Sequence, residues 1–356
     1  MSAIVSFLCP SYNHEKYVKF FIESLLKQTN PNWELIIVDD CSTDNNVNEI
    51  KKFKDKRIKL FKNPFNMGMN SAINHVFKYT KGQYICFCGT DDMLKSDYVD
   101  NVIKSFQDNP DKDVLYFDLQ LIDENNDLIK NDVWKNEYSS RFEALKHLFM
   151  TRNCLLSPGV AIRKETLNKI MPLTIPLSQY QDYKIHVDLL INSDFMISDK
   201  KLVLYRKPSK KSGVSFLNKN TSVLYNLEEN LLMDSFLQIK DVKILKNIFG
   251  EDLLKQFGVL DNKFIPYYLG LLALQNAETE YKKLWGYNQI VKFIIIPENY
   301  ENLYKKYGFS FKQYLGLSKY FDNTVSEIKA RKYKTLFNIM CCVCFVFLVI
   351  TIGFLM

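Results

Sequence analysis

Glu34-Leu35-Ile36-Ile37-Val38-Asp39-Asp40 and Gly82-Gln83-Tyr84-Ile85-Cys86-Phe87-Cys88-Gly89-Thr90-Asp91-Asp92 share one pattern: an apolar run closed by two adjacent aspartates. Runs of Leu, Ile, Val and Phe of this length read as strands buried on both faces of a parallel sheet. Paired carboxylates directly after them do not belong in a core, because an unpaired buried charge is costly. In open α/β sheets the crevice beyond the carboxyl ends of the strands is where ligands bind. Two such pairs predict one acidic crevice, fitted to a nucleotide and a divalent cation. Each pair taken singly also fits a helix N-cap; the repetition favours the site.

Outward from these runs, residues 3–9 read as a first strand, left through Pro10-Ser11-Tyr12-Asn13. Residues 14–28 have helical spacing, with Val18, Phe21, Ile22, Leu25 and Leu26 on one face. Residues 58–61 form a short strand, Asn66-Met67-Gly68 a break, and residues 70–80 a helix. Strand and helix alternate to about Asn109, which predicts an α/β fold with a doubly wound, mostly parallel sheet flanked by helices. Residues 114–121 and 203–205 are further strands, and 143–150 and 182–191 helices. A basic loop with Lys207, Lys210 and Lys211 follows, and from Ser222 the chain turns helical and rich in Tyr and Leu. The expected organisation is a catalytic domain at 1–217, a helical extension at 218–334 and a membrane span at 335–356.

The chain of 356 residues is 47% hydrophobic with a net charge of +7, ordinary values for a globular protein. Its lysines are scattered, not striped among aromatics, which argues against a nucleic-acid partner. Of eight cysteines, Cys341, Cys342 and Cys344 lie in the apolar tail. Cys86 and Cys88 share one strand face without a second pair at zinc spacing, as core thiols of a reducing compartment do. No signal peptide opens the chain. Residues 335–356 carry no charge, follow Lys329, Arg331, Lys332 and Lys334, and as a helix reach roughly 33 Å, enough to cross a bilayer core of about 30 Å. That predicts a single C-terminal transmembrane anchor with the body on the cytoplasmic face of the inner membrane; a buried terminal helix is the alternative.

Asp91-Asp92 suits Mg²⁺ or Mn²⁺, which bind through one or two carboxylates plus substrate phosphates. Asp39 and Asp40, as acceptors only, suit a base N–H or a ribose hydroxyl.

In this order and spacing, Pro10-Ser11-Tyr12-Asn13, Leu25-Leu26-Lys27-Gln28-Thr29, Val38-Asp39-Asp40-Cys41-Ser42-Thr43-Asp44, Asn66-Met67-Gly68, Ala72-Ile73-Asn74, Gly82-Gln83-Tyr84-Ile85 and Thr90-Asp91-Asp92 resemble the family 2 glycosyltransferases. The resemblance covers roughly the first two-thirds of the chain. It implies a GT-A fold and inverting transfer from a nucleotide-diphospho-sugar, UDP-linked, to a hydroxyl of a glycan or lipid-linked acceptor in bacterial surface polysaccharide synthesis. It also implies Asp92 as the main ligand of Mn²⁺ or Mg²⁺, with Asp91 beside it. Asp40 would face the nucleobase, supported by Asp39, and Pro10, Tyr12, Asn13, Asn66 and Gly68 would line the donor nucleotide pocket. Asp182 would be the catalytic base, with His186 a poorer candidate. Three departures stand out: Thr90 replaces the first Asp of the metal element, Gln181 replaces the Glu before the base, and no His follows Arg206. The alternatives are a nucleotide-binding scaffold without turnover, and a sugar nucleotidyltransferase, which would open with a Gly-rich phosphate loop.

Overall fold

The computed structural model describes residues 4–138, 140–175, 177–207 and 219–321. The apolar runs become β1 (Val5–Ser11), β2 (Trp33–Asp39), β3 (Ile58–Lys62) and β4 (Tyr84–Phe87). β2 lies parallel to β1 and β3, and β1 parallel to β4. The returns run through α1 (Val18–Leu26), α2 (Asn46–Lys51) and α3 (Met69–Val76). α1 buries Val18, Phe21, Ile22 and Leu25 of the face its spacing predicts, while Leu26 at its end is exposed. β1 and β2 are buried almost throughout, as central strands between two helical layers must be.

Beyond β4 come β5 (Met93–Leu94), α4 (Tyr98–Asp108), β6 (Val114–Ile122), β7 (Leu128–Trp134), α5 (Arg141–Met150), β8 (Val160–Arg163), α6 (Lys164–Asn168), α7 (Gln181–Leu190) and β9 (Phe195–Arg206). Among the described residues these complete a nine-stranded sheet of order β3-β2-β1-β4-β8-β6-β9-β5, with β7 on β6. The second half is mixed: β8 runs antiparallel to β4 and β6, while β9 runs parallel to β6. Parallel pairing therefore does not dominate the whole sheet. β8 is four residues long and β9 is interrupted by the polar stretch Ser198-Asp199-Lys200-Lys201, opposite a register shift between Phe117 and Leu119. Neither carries the long apolar run that announces a central strand.

The chain divides into two compact units between Ile265 and Pro266. The first unit also holds α8 (Lys219–Met233) and α9 (Val242–Leu254). The second unit is built mainly from α10 (Ile265–Asn276), α11 (Glu280–Ile294), α12 (Pro297–Tyr307) and α13 (Phe311–Leu315), with Tyr268, Leu272, Trp285, Ile290 and Leu303 buried. The membrane expectation is corrected here. No helix among the described residues is long and apolar enough to cross a membrane. The stretch expected to do so, residues 335–356, lies outside the described residues, as do Lys210 and Lys211.

Candidate active site

Sheet register brings the two acidic pairs together. Asp39 at the end of β2 pairs with Ser11 at the end of β1, and the Asp40 N–H donates to the Ser11 carbonyl at 2.9 Å. On the other side of β1, Leu8 pairs with Phe87, so the loop carrying Thr90-Asp91-Asp92 leaves the same edge. Side chains join the two loops. Thr90 donates to Ser11 Oγ at 2.9 Å, and Asn46 Nδ2 donates to both Ser11 Oγ (3.0 Å) and Asp39 Oδ1 (2.8 Å). His14 Nδ1 lies 2.7 Å from Thr90 Oγ1 and 4.0 Å from Asp91 Oδ1. Thr90 is fully buried, which explains a hydroxyl where an outer carboxylate was expected: the position is a tie between strands.

A cleft of about 430 Å³ opens beside β2, lined by Asp39, Cys41, Ser42, Lys62, Asn63 and Pro64. Asp40 is buried, and its carboxylate is occupied: Oδ1 accepts from Asn63 Nδ2 (2.7 Å) and the Met67 N–H (2.9 Å), Oδ2 from the Gly68 N–H (2.8 Å). Asp40 thus shapes the loop through Asn66 and Gly68, while Asp39 is the one that lines the cleft. Asn13, at φ +56°, holds the far rim through its Oδ1, which accepts from the Thr43 N–H at 2.8 Å. Pro10 sits within β1 opposite Val38, and Tyr12 is exposed.

Asp91 and Asp92 converge. A Cβ placed on Gly89 would fall 2.5 Å from Asp91 Oδ1 and 3.1 Å from Asp92 Oδ2, so only glycine leaves both carboxylates their common space. Asp92 is 3% exposed, and Oδ1 accepts from the Arg206 N–H at 2.9 Å while Oδ2 takes no hydrogen bond from the described residues. Burial, then the Asp91 charge, pushes the Asp92 carboxyl well above the usual carboxylate range, with Arg206 opposing. Such a pair fits a hard divalent cation: two carboxylates side by side, one oxygen without a hydrogen bond from the described residues, and room kept open by a missing Cβ. Among the described residues no group of three or more His, Cys, Asp or Glu is arranged to hold a metal. Two carboxylates plus substrate phosphates is the ligand set magnesium commonly uses. Arg206 does not face solvent. Instead its buried guanidinium donates to the carbonyls of Asp91 (2.6 Å) and Asp123 (2.6 Å) and to Asn126 Oδ1 (2.7 Å), and stacks over Tyr17.

Asp182 opens α7 and is partly buried. Its Oδ2 lies 3.2 Å from both Asn153 Nδ2 and Ser157 Oγ, and its Oδ1 accepts from the Tyr183 N–H at 2.7 Å. Burial raises its carboxyl above the ordinary carboxylate value, against the lowering by the Tyr183 N–H and the Ser157 hydroxyl. His186 is 1% exposed, and burial lowers its imidazole to about 3, so it stays neutral and enclosed and is no base toward a substrate. Tyr205 directly precedes Arg206 on β9. Burial first, then the negative field of Asp92, Asp91 and Asp182, raises its phenol to about 12.

Several site residues have no signature in the sequence. Gly89 reads only as part of a strand end, and Ser157, Asn153 and Tyr205 belong to segments without a motif. A glycine directly before Thr-Asp-Asp is the one available clue.

Residues 6–170 match the family described as glycosyl transferase family 2. An uncharacterised glycosyltransferase of Methanocaldococcus jannaschii is 30% identical over 227 residues, 62% of this chain and 77% of that protein. The Escherichia coli UDP-Glc:alpha-D-GlcNAc-diphosphoundecaprenol beta-1,3-glucosyltransferase WfgD is 29% identical over 209 residues, 56% of this chain and 77% of WfgD. In structure the chain is similar to Staphylococcus aureus TarS 1–349 in complex with UDP-GlcNAc, with a TM-score of 0.59 and 18% identity, covering 82% of this chain and 89% of that one. At that identity the likeness speaks for the fold.

Proposed function

We propose that this chain, which belongs to glycosyl transferase family 2, moves a sugar from a UDP-linked donor to a hydroxyl of a glycan or lipid-linked acceptor, with inversion at the anomeric carbon. The observation that carries the reading is the Asp91-Asp92 pair, tied through Thr90 and Ser11 to the sheet edge that bears Asp39, with Gly89 leaving both carboxylates open space. An acidic pair for the diphosphate and a separate carboxylate for the acceptor are what a single inverting displacement requires.

The roles follow from the bonding. Asp39 and the 41–42 and 62–64 segments offer the nucleoside a polar cleft. Asp92 and Asp91 would hold a Mn²⁺ or Mg²⁺ ion, which when bound supplies Lewis-acid neutralisation of the departing diphosphate. Arg206 holds the Asp91-Asp92 backbone and one Asp92 oxygen in place. On the acceptor side Asp182 removes the hydroxyl proton as that oxygen attacks, and burial makes its carboxylate more basic than an exposed aspartate. The WfgD and TarS names support a UDP-sugar donor, and the WfgD name a lipid-diphosphate acceptor.

The test is UDP release from UDP-glucose and UDP-N-acetylglucosamine by the purified protein, with Mn²⁺ or EDTA and with a GlcNAc-diphospholipid acceptor. Metal-dependent release with acceptor, giving an inverted linkage by NMR, is expected. Asp182→Asn should lower turnover by about 10²–10⁴-fold while leaving UDP binding by calorimetry unchanged. UDP binding without transfer for any acceptor would point to a silent scaffold instead.

A further inference from the structure

We infer that Tyr116, His186 and Ser157 form a buried hydrogen-bond relay of fixed direction that positions Asp182, leaving Oδ1 as the oxygen that receives the acceptor proton. The inference rests on the reading of Asp182 as the base.

Its direction follows from counting protons. An ionised carboxylate only accepts. Ser157 therefore gives its one proton to Asp182 Oδ2, at 3.2 Å. Ser157 Oγ then faces His186 Nε2 at 2.9 Å with lone pairs only, so Nε2 must carry a hydrogen. In a neutral imidazole the other nitrogen is bare, and Tyr116 O–H, 2.8 Å away, donates to Nδ1. Every proton in the chain points toward Asp182.

The relay draws on separate elements. Asp182 and His186 are one turn apart on α7, Tyr116 lies in β6, and Ser157 comes from the segment before β8. Tyr116 and His186 are fully buried and pack edge to face with ring centroids 5.3 Å apart, and Phe195 closes the other side of Tyr116 at 5.6 Å. Asn153 also donates to Oδ2, which thus takes two side-chain hydrogen bonds, whereas among the described residues no other side chain donates to Oδ1, which accepts from the Tyr183 N–H. Aligned hydrogen bonds in a low dielectric polarise one another, so the far members act on Asp182 through Ser157.

The titratable groups facing Asp182 are Tyr183 and His186 on α7, Tyr116 on β6, Tyr205 on β9 and Tyr225 on α8. Burial raises all four phenols and keeps His186 neutral. With the phenols raised and the imidazole neutral, the carboxylate is the member of this cluster whose charge sets the acid limb. Removing the Ser157 donor takes a bond from the charged form and moves the acid limb of kcat/KM to higher pH.

The test compares Ser157→Ala, Ser157→Thr, Tyr116→Phe and Asp182→Asn, measuring UDP release with the GlcNAc-diphospholipid acceptor across pH. Ser157→Ala should lose roughly tenfold to hundredfold in kcat, the worth of one hydrogen bond to a charge, with donor KM within about twofold. Tyr116→Phe should move the limb the same way by less, and Ser157→Thr should restore it. A readout without turnover is ¹⁵N NMR of labelled histidine, with His186 expected as the Nε2–H tautomer throughout pH 5–8. A protonated Nδ1, or Ser157→Ala and Tyr116→Phe with wild-type kcat and limb while Asp182→Asn is inactive, overturns the relay. An active Asp182→Asn overturns the base assignment itself.

Discussion

Gly89→Ala adds one methyl group and tests whether Asp91 and Asp92 share a ligand. The new Cβ would lie 2.5 Å from Asp91 Oδ1 and 3.1 Å from Asp92 Oδ2, whereas ordinary contact starts at 3.4 Å. Asp92 is 3% exposed and tied to the Arg206 N–H, so it cannot yield. The Asp91 side chain is 37% exposed and turns away, its oxygen moving by about 0.9 Å to reach normal contact. A misplacement near 1 Å at a reacting centre costs on the order of 10²-fold, or about 2.7 kcal/mol of barrier. The fold should be spared, because the clash is with the end of a side chain. Steady-state UDP release over a Mn²⁺ series, run beside thermal melts, should show kcat/KM down about 100-fold, a higher half-saturating Mn²⁺, and a melting temperature within about 3 °C of wild type. A variant with both kinetic quantities within threefold of wild type would refute the shared-ligand geometry. A fall of more than about 5 °C would refute it too, by showing that backbone gives way in place of the carboxylate.

Glu228 on α8 is buried and accepts from the N–H groups of Ser178, Gln179 and Tyr180, at 2.8, 2.7 and 3.0 Å, directly ahead of α7. Glu228→Ala strands these donors and should lower stability in urea by about 3 kcal/mol, with turnover reduced because Asp182 loses its mount. Gly82→Ala drives a Cβ to 2.6 Å from the Ser6 backbone nitrogen and 2.8 Å from the Val5 carbonyl carbon. Backbone cannot step aside cheaply, so a loss of about 3 kcal/mol or insoluble expression is expected from the same urea assay. The acid limb of kcat/KM should lie above the ordinary carboxylate value, since burial raises Asp182 and the base works only when ionised. Activity is then lost as pH falls through that raised value, and a limb at or below the ordinary value, measured with saturating metal, would contradict it.

Much of the first half of the fold was legible because its signals are local. The Leu35–Val38 and Tyr84–Phe87 runs have no plausible home except buried parallel strands, and the aspartates after them mark the sheet edge. β8 and β9 were not legible in full. A four-residue strand and one split by Ser198-Asp199-Lys200-Lys201 are recognisable only by the partners they pair with. The roles of single side chains were harder still. Asp39 and Asp40 are adjacent, chemically identical and both buried and hydrogen-bonded, yet only Asp39 lines the cleft, while Asp40 is held by Asn63, Met67 and Gly68. A charged residue beside a basic loop normally faces solvent, but β9 carries Arg206 into the body, where carbonyls satisfy it.

The chain by itself determined the strand–helix alternation, the acidic edge of the sheet and the family, because apolar periodicity and strand-end carboxylates are properties of neighbouring residues. Tertiary structure alone decided that Gly89 leaves Asp91 and Asp92 open space, and that Ser157 and His186 stand behind Asp182. Those facts depend on distances across the sheet, and such distances exist only once β6, β8 and β9 have paired.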